Sequence, residues 1–458
     1  MLITEPSDLD PASPEPIELA PALLDRLAKI RYDVLRALQA GDPVYGVNTG
    51  MGAMSKVRLT EEEQRTHQSN LLLGRAVGGP PWLPPDEARA VLIGRLRTFL
   101  TGDAGVSVEL IQRLIALINS GEMPEIPAGG AGSAGEIIPL AHAFGSLRLE
   151  LGPKEGIALL AGIPGATGRA ALHASRARRL VDHLSAAAAG SIAVIGANRA
   201  PYHPLTARGD DVLAAELTRL RDLAGPEAEP RSLQAPVSFR VAGHVIAHVR
   251  RTLTQLEEAV DRAFAGVTDS PAYLDGEFIG TAGFHGIDLA AHCDHLTAAL
   301  AHAAEVSAAR LHRLLDPSVT GLPAQLAHEP GPQAGLVAVH KRAVATTHAL
   351  RRLTLPSATS TAETSNGQED VQTFSWEAVG VLADAVRLTR EVTACELLAV
   401  HQAFALAKRP YPPGLRQLLG DVAAVVPPIE ADRPFGEDLA RLLDLLDPSV
   451  IAGGSHSR

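Results

Sequence analysis

A glycine-rich stretch at residues 124–142 reads PEIPAGGAGSAGEIIPLAH and leads into a run with helical spacing. Glycine tolerates positive φ and close backbone approach, so the four glycines around Ser133 predict a tightly folded loop. Glu136 then opens a helix, whose unpaired N–H groups and positive dipole end favour negative charge nearby. The pattern fits a site for developing negative charge, and it equally fits a plain loop that leads into a helix.

A second loop, VYGVNTGMGAMS at residues 44–55, carries a tyrosine among glycines. The phenol of Tyr45 can act as a general acid or base if burial or a nearby cation adjusts its pKa. The alternative is a tyrosine that packs its ring and donates one hydrogen bond. Asn48 and Thr49 are polar residues in the same loop, and loops of this kind often carry function.

Two charged residues further along the chain suit the binding of a substrate. The planar fork of Arg240 matches a carboxylate, although an internal salt bridge would use the same geometry. Glu369 is predicted to begin a helix, where a carboxylate either takes part in catalysis or simply complements the helix dipole. His285 is interpreted as structural, and the sequence has no HExxH or CxxC pairing, so no metal site is predicted.

The elements that must position these residues are predicted to be helices, because apolar residues recur at three- and four-residue spacing. β-Strands look scarce, and the long helices predict an all-α fold with a long central helix bundle behind an N-terminal helical and loop domain. The predicted domains are a flexible segment at 1–15, an N-terminal domain at 16–195 and a bundle domain at 196–458. The predicted helices span residues 17–38, 85–100, 107–121, 170–189, 285–315, 335–353 and 369–407.

Composition limits the classes of partner. The chain has 41 Lys+Arg against 52 Asp+Glu, so its net charge of -11 gives no reason to expect nucleic acid or an anionic membrane. The acidic, proline-rich first residues lack the pattern of a signal peptide, and no membrane span is predicted. Two cysteines, Cys293 and Cys395, do not make a disulfide framework, which fits a cytoplasmic protein.

Eight short motifs follow one another in an order that resembles the histidine and phenylalanine ammonia-lyase family. The resemblance implies a mainly helical homotetramer whose active sites are assembled from several subunits. In sequence order the motifs are YGVNTGMG at 45–52, QSNLL at 68–72, GSAG before PLAH at 132–142, EGIALLAG at 155–162, SFR at 238–240, FHG at 284–286, GLP at 321–323 and QED at 368–370.

The chain departs from the family at the triplet that forms the prosthetic group. In the family an Ala-Ser-Gly triplet cyclises into methylidene-imidazolone, an electrophile that lets ammonia leave. Counting back from PLAH, the triplet positions hold Ser133, Ala134 and Gly135, and alanine cannot lose water. A ring shifted by one residue would have to close through the nitrogen of Ala134, whose Cβ penalises glycine-like geometry. No methylidene-imidazolone and no other cofactor are therefore expected.

Other motif positions are partly kept. The resemblance implies that Tyr45 moves a proton, that Arg240 holds a substrate carboxylate, and that Arg75 faces the substrate side chain. Three polar family residues are replaced here by Ala161, Val237 and Gly283. The full set of predicted site residues is Tyr45 and Glu369 for catalysis, Arg240, Gln234, Arg75, Asn48, Phe284 and Gln368 for substrate binding, and Ser133, Ala134 and Gly135 in the degenerate loop.

Three functions remain open from the sequence. The first is a lyase-like enzyme that performs elimination, addition or isomerisation on a small carboxylate-bearing substrate without the prosthetic group. The second is an ordinary ammonia-lyase with a ring in shifted register. The third is a non-catalytic descendant that binds a ligand or partner.

Overall fold

The computed structural model describes residues 1–132, 134–145, 150–226, 230–359 and 362–447. Helices dominate this part of the chain, which confirms the predicted mainly helical fold. The α-helices are α1 (Pro21–Gln39), α2 (Glu61–Leu73), α3 (Pro85–Thr101), α4 (Val108–Ser120), α5 (Ile137–Gly145), α6 (Glu155–Leu160), α7 (Pro164–Val194), α8 (Asp211–Ala224), α9 (Val237–Arg240), α10 (Ala242–Ala265), α11 (Ile287–Leu314), α12 (Pro317–Thr320), α13 (Val337–Arg352), α14 (Ser375–Ala407), α15 (Arg416–Val425) and α16 (Phe435–Leu446).

Two short strand pairs accompany the helices in the described residues. Strand β1 (Leu2–Ile3) pairs in parallel with β2 (Glu18–Leu19), and β3 (Ala272–Leu274) pairs antiparallel with β4 (Glu277–Ile279). Residues 1–15 are predicted to be flexible. In the structure this segment packs against the rest of unit 1, because Ile3 and Leu9 are fully buried.

Contacts between Cα atoms divide the chain into two units, each built from three segments. Unit 1 comprises residues 1–175, 255–294 and 356–382, and unit 2 comprises residues 176–254, 295–355 and 383–458. The predicted domains, 16–195 and 196–458, are continuous in sequence, so they differ from these interleaved segments. Four of the five unit boundaries fall inside α7, α10, α11 and α14, and the fifth follows α13.

The helices of unit 1 begin and end at the signals that sequence provides. Ser107 accepts a hydrogen bond from the backbone N–H of Leu110 at 3.1 Å, and Gly121 ends α4 with φ of +76°. The apolar faces of α1 to α6 contribute to one core, in which Leu96, Leu114 and Leu140 are fully buried. This core supports the loops at 44–58 and 124–136.

A paired charge lies in the interior of unit 2. Arg310 of α11 donates from Nε to Oε1 of Glu396 at 2.7 Å and from Nη2 to Oε2 at 2.8 Å. Ser191 and Ser307 donate to the same carboxylate at 2.6 and 2.5 Å. Because both oxygens are satisfied, this buried carboxylate holds three helices of unit 2 together.

Several helix boundaries differ from the sequence prediction. Helix α7 begins at Pro164 and α14 at Ser375, so Glu369, predicted to begin a helix, lies in the preceding loop. His285 likewise belongs to a short 3₁₀ turn before α11. Among the described residues, no helix combines the length and apolar character that crossing a bilayer requires.

Candidate active site

A cavity of about 620 Å³ lies within unit 1 and collects most of the predicted residues of that unit. Tyr45, Ala134, Phe284, Gln368 and Glu369 all line it. The sequence places these residues in four separate segments, so the fold brings them together. Residues that the sequence analysis did not select also line the cavity: Met51, Ile137, Ile157, Leu160, Ala161, Gly162, Ser270, Pro271, Gly280, Ala282, His285, Asp370 and Val371.

Tyr45 is fixed at both ends of its side chain. Its phenolic oxygen accepts a hydrogen bond from the backbone N–H of Gly52 at 2.7 Å, and 38% of the residue is exposed. The next residue, Gly46, has φ of +66°, and a Cβ there would lie 2.3 Å from Cδ1 of Ile157. Glycine is therefore required beside the tyrosine, because only glycine permits both this φ and this approach.

Buried amides hold the loop of Tyr45 in place. Asn48 accepts from the N–H of Val44 and donates to the carbonyl of Asp42, both at 2.7 Å. Gln68 of α2 donates to the carbonyl of Gly46 at 3.1 Å and accepts from the N–H of Gly156 at 2.9 Å. Asn48 was predicted to bind substrate, but it is absent from the described cavity lining and acts on the loop instead.

Carboxylates fasten the glycine-rich loop through its amides. Glu369 accepts from the N–H of Ala134 through Oε2 at 3.0 Å, and Glu377 accepts from Gly130 at 3.2 Å and Ala131 at 2.9 Å. Gly135 has φ of +81°, as a tight loop requires. Ser133, the first residue of the degenerate triplet, lies outside the described residues. Three backbone amides of this loop are thus bonded to the protein's own carboxylates.

Two charged side chains of unit 1, Glu136 and Arg95, are fully buried, which the sequence analysis did not predict. Glu136 accepts from the backbone N–H groups of Gly165 at 2.8 Å and Ala166 at 2.6 Å. Burial raises the pKa of Glu136 to about 7, although these two N–H groups and Arg95 act in the opposite direction. Burial also lowers the pKa of Arg95 to about 10, although the negative charges of Asp269 and Glu136 raise it. The sequence does carry one signal of this burial, because Arg95 lies among apolar residues on several faces of α3.

Arg75 lies beside the cavity at the end of α2. Its guanidinium donates to the carbonyl of Leu71 at 3.2 Å and contacts Sδ of Met51 at 3.8 Å. Burial lowers the pKa of Arg75, while the charges of Tyr45 and Glu369 raise it.

Arg240 and Gln234 belong to unit 2. Arg240 ends the short helix α9 and donates from Nε to the carbonyl of Ala235 at 2.9 Å. In the part of unit 2 that the structure describes, its two terminal nitrogens have no hydrogen-bond partner, which leaves the fork available to a ligand. Gln234 is exposed, and its carbonyl accepts from the hydroxyl of Ser232 at 3.2 Å.

The described residues contain no group of three His, Cys, Asp or Glu side chains arranged to bind a metal ion. Cys293 and Cys395 are buried free thiols. Burial raises the pKa of both thiols above their usual range. They are therefore poor nucleophiles.

Comparisons with known proteins give consistent results. The family model for aromatic amino acid lyases matches residues 9–148 and 143–424. Histidine ammonia-lyase of Deinococcus radiodurans is 30% identical over 467 residues, which cover 93% of this chain and 89% of the relative. Two solved structures share the fold. Tyrosine aminomutase from Streptomyces globisporus has a TM-score of 0.89 at 23% identity, covering 98% of this chain and 96% of that one. Ergothionase from Treponema denticola, an ergothioneine-degrading enzyme, has a TM-score of 0.87 at 21% identity, with 98% of each chain covered.

Proposed function

This chain belongs to the aromatic amino acid lyase family, and we propose that it is a lyase-like enzyme that works without methylidene-imidazolone. Its substrate is a small molecule that bears a carboxylate, and Tyr45 is its acid–base residue. The observation that carries the proposal is one cavity lined by Tyr45, Ala134 and Glu369, with a phenol present and the dehydratable residue replaced by alanine.

The residues of the glycine-rich loop do not fit the prosthetic group. Forming the methylidene requires a side chain that loses water, and the methyl group of Ala134 carries no hydroxyl. Dehydrating the ring would also remove the hydrogen from the nitrogen of Ala134, which here donates to Glu369.

The surroundings support the same interpretation. The family has a polar residue at the position of Gly283, and here a Cβ would lie 2.1 Å from the carbonyl oxygen of Val267. Any side chain at this position therefore requires the backbone to move. Ala161 lines the cavity at another position where the family carries a polar side chain.

Elimination on this site needs only groups that the chain carries. The phenolate form of Tyr45 takes a proton from a substrate carbon and becomes a phenol, while the electrons of the broken C–H bond form a C=C bond. The leaving group departs with the electron pair of its broken bond, and it then accepts the proton from Tyr45. Without an electrophile to activate an amine, the substrate must carry a leaving group that is already able to depart. Addition is the same step in reverse, and isomerisation combines the two.

The remaining residues bind and orient the substrate in this proposal. Arg240 and Gln234 do not line the described cavity. We assign the substrate carboxylate to them because the resemblance implies active sites assembled from several subunits and the fork of a guanidinium suits a carboxylate. Phe284 and Gln368 line the cavity and orient the substrate next to the phenol of Tyr45.

Intact-mass spectrometry tests the absence of the ring. We expect the purified protein to have the mass of its sequence, and we expect no deamination of histidine, phenylalanine or tyrosine. A mass deficit of two waters, mapped to the peptide that holds residues 132–135, would restore the ammonia-lyase interpretation. A protein of full mass that turns over no amino acid or unsaturated acid in a broad screen would favour a ligand-binding descendant.

We also propose that the protein is a homotetramer, because the resemblance to the family implies that assembly. Light scattering at micromolar concentration tests this assembly. A clean monomer there would contradict it.

A further inference from the structure

Four exposed histidines of unit 2 lie on two long helices. His244 and His248 belong to α10, and His295 and His302 belong to α11. None of the four lines the described cavity of the candidate active site. The proposed function therefore uses none of these side chains.

The imidazole rings of His248 and His295 lie close together, one from each helix. Their centroids are 5.9 Å apart, and their planes are inclined at 66°. Zinc binds an imidazole nitrogen at about 2.0–2.1 Å in a tetrahedral arrangement, which places the centroids of two rings on one ion about 5–6 Å apart. The two rings can therefore bind one ion without a change in the spacing of α10 and α11.

His244 and His248 have the spacing of two metal ligands on one helix. The segment HVIAH at 244–248 places them at i and i+4 on the same face of α10. This is the spacing with which an HExxH helix binds zinc, and the glutamate that acts as a general base in that motif is absent here. The described side chains, as arranged, contain no group of three ligands. The exposed side chain of His244 must therefore turn to reach an ion between His248 and His295.

The charges around His248 leave its ring able to bind a cation. Burial lowers the pKa of His248, and the positive charges of its neighbours lower it further. These neighbours are His295, Arg251 and His302. The ring of His248 thus keeps a free lone pair near neutral pH, which a metal ligand requires. The carboxylate of Asp210 pairs with Arg251 and offsets the positive charge of its guanidinium.

We propose that His248 and His295 bind one divalent ion of the zinc, copper or nickel class, with His244 as a third ligand and water in the remaining position. Imidazole suits these metals, whereas Mg²⁺ and Ca²⁺ prefer oxygen ligands. The ion joins α10 to α11, so its binding stabilises unit 2. The inference is independent of the proposed function, because it involves no substrate and no residue of the candidate active site.

Calorimetric titration of the full chain with Zn²⁺ tests the site near neutral pH, with protein that carries no purification tag and has been treated with a chelator. We expect one ion per chain, and no binding of Mg²⁺ under the same conditions. Binding of Zn²⁺ should disappear well below the ordinary histidine pKa of about 6.5, because protonated imidazole has no lone pair to offer. Zn²⁺ that binds no tighter than Mg²⁺ would overturn the proposal.

Single variants locate the ion among the 17 histidines of the chain. His248→Ala and His295→Ala should each weaken Zn²⁺ binding by at least about 10-fold, because even losing the partner of a metal ligand costs that much. His244→Ala should weaken it by a smaller factor, since this side chain must first turn. The matched control is His302→Ala, which removes an exposed histidine about 10 Å further along α11 than His295 and should leave the affinity unchanged. Equal effects of His295→Ala and His302→Ala would overturn the assignment.

Electron paramagnetic resonance of the Cu²⁺-loaded protein identifies the ligands directly. We expect hyperfine coupling to imidazole nitrogen in the wild type, and its loss in the double variant His248→Ala/His295→Ala. Both side chains are exposed, so the double variant should fold, which circular dichroism checks. Nitrogen coupling and affinity that persist in the double variant would show adventitious binding to other histidines and overturn the proposal. Neither measurement requires turnover, so this result is separate from the test of the proposed function.

Discussion

The loop of Tyr45 and the glycine-rich loop face the same cavity but are held in opposite ways. The first is fixed by amide side chains, Asn48 and Gln68, which leave its tyrosine oxygen directed at the cavity. The second is fixed by carboxylates, Glu369 and Glu377, which bond the backbone amides of the loop itself. If the proposed function is right, the half of the site that carries the phenol performs the chemistry, whereas the half that carries an electrophile in the family serves here as structure.

The largest effect is expected from breaking the support beneath the glycine-rich loop. Glu87 binds Nε of Arg169 at 2.8 Å, and Trp376, against which Arg169 packs, donates to the carbonyl of Ala128 at 3.1 Å. Glu87→Gln leaves Arg169 buried without its counter-charge and should lower the free energy of unfolding by about 3–5 kcal/mol. Chemical denaturation measures this, with the exposed Glu109→Gln as control at under about 0.5 kcal/mol. Equal stability of the two variants would remove Glu87 from the support.

The same pair predicts how stability depends on pH. Burial alone would raise the pKa of Glu87, but the hydrogen bond of His173 and the charge of Arg169 lower it to about 2. A carboxyl whose pKa is lower in the folded than in the unfolded state stabilises the fold above its ordinary value of 4.5. That contribution is lost as pH falls from 4.5 toward 2, and Glu87→Gln should flatten this part of the stability curve.

The next effect concerns the preserved half of the site. Tyr45→Phe removes the hydroxyl while keeping the ring, so turnover of the acid found by screening should fall by about 10²-fold or more, or roughly 2.7 kcal/mol. Tyr32→Phe on α1 is the control, because that tyrosine is 62% exposed and does not line the described cavity. Steady-state kinetics decides, and unchanged turnover in Tyr45→Phe would exclude the phenol from the mechanism.

The smallest effect compares two glycines that flank the cavity. Gly283→Ala places a Cβ 2.1 Å from the carbonyl oxygen of Val267 and should cost about 1–3 kcal/mol of stability. Gly280→Ala is the matched control, because nothing lies within 4 Å of a Cβ there, and its effect should stay under about 0.5 kcal/mol. Thermal unfolding measures both. A Gly283→Ala protein as stable as its control would show that the site tolerates the polar family residue.

Much of the fold was predictable because helix signals are local. The spacing of apolar residues located α1, α3, α4, α11 and α13 to within a few residues, and Ser107 and Gly121 marked the ends of α4. The start of α14 was not predictable in this way. Residues 369–374 continue the helical spacing of apolar residues, but their backbone forms a loop. The discontinuous units could not be predicted from composition, since they depend on contacts between segments far apart in sequence.

The site was predictable only where residue chemistry is distinctive. Tyr45, Phe284, Gln368 and Glu369 were found through motifs, and the structure places them around one cavity. Asn48 was assigned to substrate because its type suits binding, and the sequence does not show which polar groups a loop uses for itself. The burial of Glu136 was missed, because a single sequence does not report the surroundings of a side chain.

The hydrogen bond from Gly52 to Tyr45 bears on how much the tyrosine side chain must move during a proton transfer. The N–H donates to the phenolic oxygen, so it occupies a lone pair and leaves the hydroxyl hydrogen free to point into the cavity. In the proposed mechanism the same N–H can donate to the oxygen before and after it takes the proton. The ring therefore has no need to turn between the two halves of a proton transfer, and the loop that holds it can remain rigid throughout a catalytic cycle.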